Sequence, residues 1–305
     1  MEKIVLAVDG GATKTAVILY SSIRGKLFST VGTGSNYQAI GAKKVEEELS
    51  KLLAEVAELG YPIDAAVFAI AGIDTLTDKN IVNQIVENSI ATSSLSIQTY
   101  VVENDVEATM LGLCQNKPGV LLISGTGAIA YSYNGENIFR AGGWGHRVGD
   151  EGSGYWIGQT IAQAIFKSSD GRGEQTRLTD LVLQTKKLTD IDALMNWLYR
   201  SDYRNADLAS LGSLLQQAID EGDNVALSIA KKASHELFEL AIAVLKPLLT
   251  IDNTFNFYLN GGVLKNNPTI LTLLQEQLKN AYPAIHLVVC EEKPIRYIIN
   301  RALIL

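Results

Sequence analysis

Two stretches of this chain join an apolar run to a tight glycine turn, and this repeat constrains the fold more than any other feature. The first is IVLAVDGGATKT at residues 4–15, and the second is VLLISGTGA at residues 120–128. Two further short apolar runs follow each stretch, which predicts three adjacent antiparallel strands in each case. A chain that repeats such a unit is expected to fold into two similar α/β halves.

The rest of the first half alternates between helix and strand patterns. Apolar side chains recur at helical spacing over Gly41–Leu59, and a buried strand pattern follows at residues 65–72. A helix near residues 78–91, a strand at 96–105 and a helix at 106–115 come next. The predicted order is therefore β-β-β-α-β-α-β-α.

The second half begins after the KPG break at residues 117–119 and contains an additional, largely helical region from Tyr155 to about residue 250. Its later elements are predicted as a strand at 255–262, a helix at 264–278, a strand at 285–290 and a helix at 295–305. The predicted domains are an N-terminal half, residues 1–117, and a C-terminal half, residues 118–305. The last helix is expected to pack back towards the N-terminal half.

Charge and composition exclude several classes of protein. The net charge is −7 over 305 residues without a lysine- or arginine-rich run, which argues against a nucleic-acid partner. The longest apolar stretch, residues 237–249, contains Glu239 and Lys246 and is too short to span a membrane. The first residues lack a signal-peptide pattern, so we expect a cytoplasmic location. Cys114 and Cys290 lie far apart, which favours reduced core thiols over a disulfide or a metal pair.

The two glycine turns are candidate phosphate sites. DGGATKT at residues 9–15 offers backbone N–H groups together with the side chains of Thr13 and Lys14, an arrangement that binds phosphate. It matches neither the P-loop nor the dinucleotide fingerprint. SGTGA at residues 124–128 forms a second turn of this kind. Either turn alone is more typical of an ordinary hairpin, but their equivalent positions predict a two-sided clamp on adjacent phosphates.

Two polar residues at predicted element ends each have a structural and a functional interpretation. Asp105 ends a strand and opens a helix, so it is a candidate N-cap and also a candidate general base. Asn36 is compatible with a left-handed turn, and its amide is also suited to recognising a hydroxyl or an amide. We interpret the neighbouring acids Glu103 and Glu107, and likewise Glu151, as helix-terminus or surface charges.

The stretch GGWGHRVGDEGSGYW at residues 142–156 is dense in glycine but also contains Trp144, His146 and Asp150. A flexible linker would be rich in glycine and serine without a large aromatic residue or acids. The composition therefore predicts a shaped loop that presents backbone N–H groups and a few side chains to a small ligand. With three histidines in the chain, His146 is interpreted as a structural histidine rather than a metal ligand.

Taken together, these motifs resemble those of the sugar kinase, Hsp70 and actin superfamily, and most closely the N-acetylglucosamine kinase branch of the BadF/BadG/BcrA/BcrD-type ATPases. The matching segments are DGGATKT and LISGTGA for phosphate, SNYQAIG and GGWGHRVGDEGSGYWIG for sugar, END for the catalytic acid, and LNGGVLKN for adenosine. The resemblance spans essentially the whole chain. It implies an α/β fold of two ribonuclease H-like domains (the actin-like ATPase fold) flanking a cleft.

The resemblance also implies residue roles. Asp105 would be the base on the C6 hydroxyl of a sugar, and Asp9 would lie near Mg²⁺, directly or through water. The residues implied for substrate binding are Asn36, Gly127, Trp144, Gly145, His146 and Asp150. The residues implied for ATP binding are Gly10, Gly11, Thr13, Lys14, Gly125, Thr126, Gly261 and Gly262. The last helix of the family usually carries a Gly-Ala pair, whereas this chain has Asn300 and Arg301.

The implied activity is an ATP- and Mg²⁺-dependent kinase that phosphorylates the 6-hydroxyl of an amino sugar, with N-acetylglucosamine as the first choice. Glucosamine and N-acetylmuramate are alternative acceptors. The fold is also shared by the ATPase activators of 2-hydroxyacyl-CoA dehydratases, but these need cysteines for an iron–sulfur cluster, and two isolated cysteines argue against that class. A sugar sensor without turnover is a third alternative. The expected partner is a small amino sugar, without nucleic acid or membrane, and assembly as a homodimer is left open.

Overall fold

The computed structural model describes residues 1–248 and 255–305, which divide into two compact units. The first unit comprises Met1–Lys117 together with Glu291–Leu305, and the second comprises Pro118–Cys290. The compact units thus assign the last residues of the chain to the first unit. That these units are separate domains with a boundary between residues 117 and 118 stays a prediction.

The first part of the chain alternates between strands and helices much as the sequence predicts. Its elements are β1 (Ile4–Gly10), β2 (Lys14–Ser21), β3 (Gly25–Thr33), α1 (Tyr37–Ile40), α2 (Ala42–Ala57), β4 (Ile63–Ile70), α3 (Leu76–Ser93), β5 (Ile97–Asn104) and α4 (Asp105–Cys114). The strands form a five-stranded sheet in the order β3-β2-β1-β4-β5. β1, β2 and β3 form an antiparallel meander, and β4 and β5 run parallel to β1.

The register of the parallel strands determines which side chains lie together at one edge of this sheet. Asp9 on β1 pairs with Ala69 on β4, which in turn pairs with Glu103 on β5. The parallel pairing ends one residue later, and Asp105 follows directly as the first residue of α4. Because parallel strands end at the same edge, Asp9 and the start of α4 share the carboxyl edge of the sheet, where ligands of α/β proteins usually bind.

The remaining part of the chain repeats this sheet and adds helices. Its elements are β6 (Gly119–Ser124), β7 (Ala128–Tyr133), β8 (Ile138–Gly142), α5 (Gly154–Ser169), α6 (Leu178–Lys186), α7 (Ile191–Leu198), α8 (Asn205–Ala209), α9 (Leu215–Asp220), α10 (Asn224–Leu245), β9 (Asn256–Asn260), α11 (Gly262–Asn266), α12 (Pro268–Ala281), β10 (His286–Val289) and α13 (Pro294–Leu303). The second sheet has the order β10-β9-β6-β7-β8, with β6–β8 antiparallel and β9 and β10 parallel to β6. This is the strand arrangement of the first sheet, so the predicted α/β fold of two similar halves is confirmed.

The side chains of β1 pack on both faces of the first sheet. Leu6 and Val8 belong to the apolar cluster that includes α2 and α3, whereas Val5 and Ala7 pack with α4 and α13. The burial of both faces agrees with the nearly continuous apolar sequence of β1, as expected of a central strand covered by helices. α13 thereby contributes to the core of the first unit.

Three sequence-based expectations concern the helices of the second unit and their length. The helix predicted at residues 264–278 is two helices, because Asn267 leaves the helical conformation and Pro268 starts α12 at its first position, where its missing N–H costs nothing. The helical region predicted up to about residue 250 is observed as far as residue 248, and its last two positions lie outside the described residues. In the described parts of the chain, no helix combines the length and apolarity that a membrane span requires.

Candidate active site

The first glycine turn packs closely against the segment that precedes α1. Gly11 N–H donates to Lys14 O at 2.9 Å, and Ser35 N–H donates to Gly11 O at 3.0 Å. A Cβ atom on Gly10 would lie 2.2 Å from Ser35 Oγ, so no larger residue fits at this position. The side chains of Thr13 and Lys14 remain exposed. The turn is therefore closely packed at Gly10 and leaves the side chains of Thr13 and Lys14 exposed, and its role as a phosphate site stays a prediction.

Asn36 is the N-cap of α1. Its φ is −75°, so the interpretation of Asn36 as a left-handed turn residue is wrong. Its Oδ1 accepts a hydrogen bond from Gln38 N–H at 3.0 Å. The amide also lies against Gly72, where a Cβ atom would come within 2.9 Å of Oδ1. Within the described residues Nδ2 makes no hydrogen bond, so this N–H₂ group is available to a ligand.

Asp78 fixes the segment that carries Asn36. Its carboxylate accepts hydrogen bonds from the Tyr37 hydroxyl, from Gln38 Nε2 at 3.2 Å and from Thr75 N–H at 2.7 Å. Asp78 is buried, and these hydrogen bonds, that from Tyr37 first, hold the pKa of its carboxyl well below the usual range. None of the motifs quoted above contains Asp78. A sequence signal for it exists, because Thr75 and Asp78 form a capping box at the start of α3.

Asp105 lies in the first turn of α4 but does not cap the helix. The N-cap is Asn104, whose Oδ1 accepts from Val106 N–H at 2.9 Å, so the N-cap interpretation of Asp105 is wrong. Burial and the nearby charge of Asp9 raise the pKa of the Asp105 carboxyl to about 6. Burial also raises the pKa of Asp9, and Lys14 opposes that shift. A carboxylate with a pKa near neutrality at the end of a parallel strand has the properties expected of a general base.

Glu103 differs most from its sequence-based interpretation. It is 6% exposed and accepts hydrogen bonds from Arg301 on α13, so its assignment as a helix-terminus or surface charge is wrong. Glu107 does lie in the first turn of α4, and burial raises the pKa of its carboxyl. Glu151 is exposed, as expected.

In the second unit, the SGTGA turn receives the start of α5. Gly154 N–H donates to Gly125 O at 2.8 Å, and Tyr155 N–H donates to Thr126 O at 3.2 Å. The segment LNGGVLKN, which resembles an adenosine motif, packs on Ser124, the first residue of the SGTGA turn. A Cβ atom on Gly261 would lie 2.1 Å from Ser124 O. Gly261 also has a φ of +107°, which favours glycine. The structure thus brings together the phosphate-like and adenosine-like motifs of this unit.

The glycine loop after β8 is fixed at its first residues by Arg140. Gly142 and Gly143 both adopt left-handed φ values, 71° and 69°. Arg140 Nε donates to Gly142 O at 3.2 Å and its Nη2 donates to Gly143 O at 2.6 Å, while its guanidinium lies 5.1 Å from the centre of the Trp144 ring. The Trp144 side chain is 70% exposed, so this loop presents an aromatic face to solvent. Gly145 follows in a turn closed by Val148 N–H, which donates to Gly145 O at 3.2 Å.

His146 and Asp150 have different surroundings within this loop. The His146 side chain contacts Asn205 Nδ2 through its Nδ1 at 3.0 Å and meets the Tyr155 ring edge-on, while remaining exposed as a residue. Asp150 has a left-handed φ of 65°, and its Oδ1 accepts from Ala128 N–H at 3.2 Å. Burial raises the pKa of the Asp150 carboxyl. The Asp150 carboxylate therefore contacts the SGTGA turn, and a Cβ atom on Gly127 would come 3.0 Å from Asp150 Oδ1.

A cavity of about 470 Å³ in the second unit connects the nucleotide motifs. Three residues implied by the sequence motifs line it: Gly125, Thr126 and Gly262. Three other lining residues lie in the quoted motifs without an implied role: Gly154, Val263 and Asn266. The remaining ones lie outside the motifs and are small or polar: Ala206, Ala209, Ser210, Gly212, Ser213 and Asn267. A sequence signal for this part of the cavity lies in the segment SLGS at residues 210–213. Its small side chains leave room for a planar ligand beside the backbone.

The chain is similar over most of its length to known proteins. A profile of the BadF/BadG/BcrA/BcrD ATPase family matches residues 6–289. The chain is 33% identical over 292 residues to an N-acetylmuramic acid/N-acetylglucosamine kinase from Clostridium acetobutylicum, with 94% of each chain covered. It is 29% identical over 297 residues to an N-acetyl-D-glucosamine kinase from Dictyostelium discoideum, with 92% of each chain covered.

Among solved structures, the chain is similar to a protein from Chromobacterium violaceum that has been named provisionally as an N-acetylglucosamine kinase. The TM-score is 0.72 at 24% identity, with 98% of this chain and 99% of the other covered. At this identity the likeness shows the fold alone, and it agrees with the two sheets described above. The family profile covers most of the sequence, and the first relative shares a third of its residues over nearly the whole length; the chain therefore belongs to the BadF/BadG/BcrA/BcrD ATPase family.

Proposed function

We propose that this protein is an ATP-dependent kinase that transfers a phosphoryl group to the 6-hydroxyl of an amino sugar, with N-acetylglucosamine as the preferred acceptor. The observation that carries the proposal is Asp105, a largely buried carboxylate at the carboxyl edge of the first sheet with a pKa raised to about 6. The names of the two curated relatives, both amino sugar kinases, support the class of acceptor. Membership of an ATPase family supports ATP as the donor.

Asp105 would accept the proton of the 6-hydroxyl as the oxygen attacks the terminal phosphorus of ATP. A group with this role must be ionised at the working pH and basic enough to take the proton, and a pKa near 6 meets both conditions at neutral pH. Asn36 would bind the acceptor through its free Nδ2. Trp144, Gly145 and His146 would contact the sugar from the glycine loop, where Arg140 fixes the backbone that leads into Trp144.

Each unit has its own candidate contacts for ATP: the first glycine turn in the first unit, and the SGTGA turn with the cavity in the second unit. Gly10, Gly11, Thr13 and Lys14 would contact phosphate oxygens in the first unit. In the second unit, Gly125 and Thr126 would contact phosphate, Gly127 would lie beside Asp150 on the side of the acceptor, and Gly261 and Gly262 would lie against the nucleoside. Backbone N–H groups at such turns stabilise the charge that develops in phosphoryl transfer without reorganising during the reaction.

Asp9 fits a magnesium ion by its chemistry and its surroundings. It is a partly buried carboxylate whose pKa is raised by burial, with Lys14 opposing the shift, and a carboxylate oxygen is a ligand type that Mg²⁺ prefers. The described residues contain no cluster of three or more side chains that could enclose a metal ion. One carboxylate is nevertheless enough, since Mg²⁺ commonly binds through one or two carboxylates together with substrate phosphates. When bound, the ion would neutralise phosphate charge, while Asp9 orients it directly or through water.

N-acetylmuramate is the second candidate acceptor, because the Clostridium acetobutylicum relative is named for both sugars. The test is an ADP-release assay with N-acetylglucosamine, N-acetylmuramate, glucosamine, N-acetylmannosamine and glucose, followed by ³¹P NMR of each product. We expect ADP release to depend on an N-acetylated amino sugar and the product to be a 6-phosphate. ADP release that is the same with and without every sugar, or phosphate at another hydroxyl, would refute the proposal.

A further inference from the structure

An ion pair in the first unit joins the last helix to the end of β5. Arg301 Nη2 donates to Glu103 Oε1 at 2.7 Å, and Arg301 Nε lies 3.1 Å from Oε1 and 3.3 Å from Oε2 of the same carboxylate. The two side chains are 15% and 8% exposed. The planar guanidinium therefore holds the carboxylate by two nitrogen atoms, an arrangement that fixes orientation as well as distance.

Stability alone does not account for a pair of this kind. Removing two charges from water is costly, and replacing a buried ion pair by apolar groups of similar volume is often neutral or stabilising. A pair with defined geometry is instead suited to holding two elements in a fixed relation. In this protein the two elements are β5 and α13.

A second contact holds the same helix against α4. Gly112 on α4 lies so close to α13 that a Cβ atom there would be 1.9 Å from Tyr297 O and 3.2 Å from Arg301 N. The backbones of the two helices therefore touch at this point. Asp105 is the first residue of α4 and follows Glu103 by two residues, so it lies in the chain between the ion pair and the Gly112 contact.

We propose that Arg301 is a positioning residue for the general base: by gripping Glu103 it fixes the junction between β5 and α4 from which the Asp105 carboxylate extends. This inference rests on the proposed function for the role of Asp105. It assigns a role to Arg301, which the proposed function does not use. A displacement of about 1 Å at a reacting group can lower turnover by about 100-fold, so a modest loosening of this junction is enough to affect the reaction.

The test compares four variants with the unaltered protein: Arg301→Met, Arg301→Lys, the double variant Glu103→Gln/Arg301→Met, and Arg296→Met as control. Arg296 is on the same helix but is exposed, with its guanidinium over the Tyr20 ring. For Arg301→Met we expect kcat to fall by about 10- to 100-fold, with the KM values for sugar and ATP changed less than about threefold. Arg301→Lys should retain part of kcat because it keeps the charge but loses the two-nitrogen grip.

The double variant separates positioning from stability. It leaves no unpaired buried charge, so its Tm should return close to that of the unaltered protein while its kcat stays at least about tenfold lower. If kcat recovers together with Tm, Arg301 acts only on stability and the inference is overturned. Equal losses of kcat in Arg296→Met and Arg301→Met would also overturn it.

Hydrogen exchange makes the test independent of activity. We expect the amides of the first turn of α4 to exchange at least about tenfold faster in the double variant than in the unaltered protein, without a matching change in the second unit. Unchanged exchange in α4 would overturn the inference whatever the reaction is. If exchange in α4 accelerates but the unaltered protein phosphorylates no sugar, the proposed function fails, and with it the role of Arg301 in aligning a base.

Discussion

Asp105 is expected to lower the stability of the protein for the same physical reason that makes it a useful base. Burial and the charge of Asp9 raise its carboxyl pKa from 3.8 to about 6, so the folded protein disfavours the ionised form that must accept a proton. Asp105→Asn keeps the size of the side chain and removes both the charge and the proton acceptor. Turnover should fall by about 10²- to 10⁴-fold. The same substitution, Asp105→Asn, should raise the free energy of unfolding.

The size of this stability gain follows from linkage between ionisation and folding. A pKa raised by about 2 corresponds to about 2.7 kcal/mol. Since the folded state holds the proton more tightly than the unfolded state, stability falls as pH rises from about 4 to about 6, and the full cost is present above that range. Because asparagine is neutral, the variant should be more stable than the parent by about 1–3 kcal/mol near pH 8, and equally stable near pH 4.

The measurement is calorimetric unfolding of the protein without nucleotide, sugar or magnesium, across this pH range. A gain of about 2 kcal/mol should raise Tm by about 4–8 °C near pH 8. Glu87→Gln, which removes an exposed carboxylate on α3, serves as a control and should change Tm little at any pH. A variant that is less stable than the parent near pH 8, or one that keeps near-normal turnover, would refute the reasoning about Asp105.

Four further results are expected. The acid limb of the pH profile of kcat/KM should fall with an apparent pKa of about 6, because Asp105 loses activity when it is protonated; a profile that is flat from about pH 5 to 8 would contradict this. Gly127→Val should weaken ATP binding more than sugar binding by crowding Asp150 and the phosphate turn, and calorimetry showing unchanged ATP affinity would remove this turn from the site. Asn36→Ala should cost about 1–3 kcal/mol, seen as a higher sugar KM with sugar-independent ATP hydrolysis unchanged; an unchanged KM would exclude Asn36 from the sugar site. Asp150→Asn should lower kcat as well, and a loss of Tm alone would point to a purely structural loop.

The local parts of the fold could be predicted from the sequence. The strands that open each half combine alternating or continuous apolar runs with a glycine turn, and both signals act over a few residues. The break between α11 and α12 was missed although its signal is local, because proline at position 268 favours the first position of a helix. In each of these cases the determinants lie within one turn or one strand of the structure that they produce.

The site residues that were misassigned depend on register or on distant contacts. Asn104 and Asp105 are both good capping residues, and the end of the strand pairing at Asn104 decides which of them caps α4. Glu103 acquires its buried partner from a residue 198 positions away, for which no local pattern exists. Asp78 accepts hydrogen bonds from Tyr37 and Gln38 across about 40 residues. Each of these carboxylates was visible in the sequence, but its environment was not.

The three carboxylates near the start of α4 illustrate how environment separates their roles. Glu103 is held by Arg301 in a contact between β5 and α13. Asp105, without such a partner, keeps a pKa of about 6 and can exchange a proton near neutral pH. Burial raises the pKa of Glu107 as well, but Glu107 lies two residues further along the first turn of α4, whereas Asp105 directly follows β5 at the carboxyl edge of the sheet. The ion pair with Arg301 thus distinguishes Glu103 from Asp105, which is left to exchange a proton with a ligand at the carboxyl edge of the sheet.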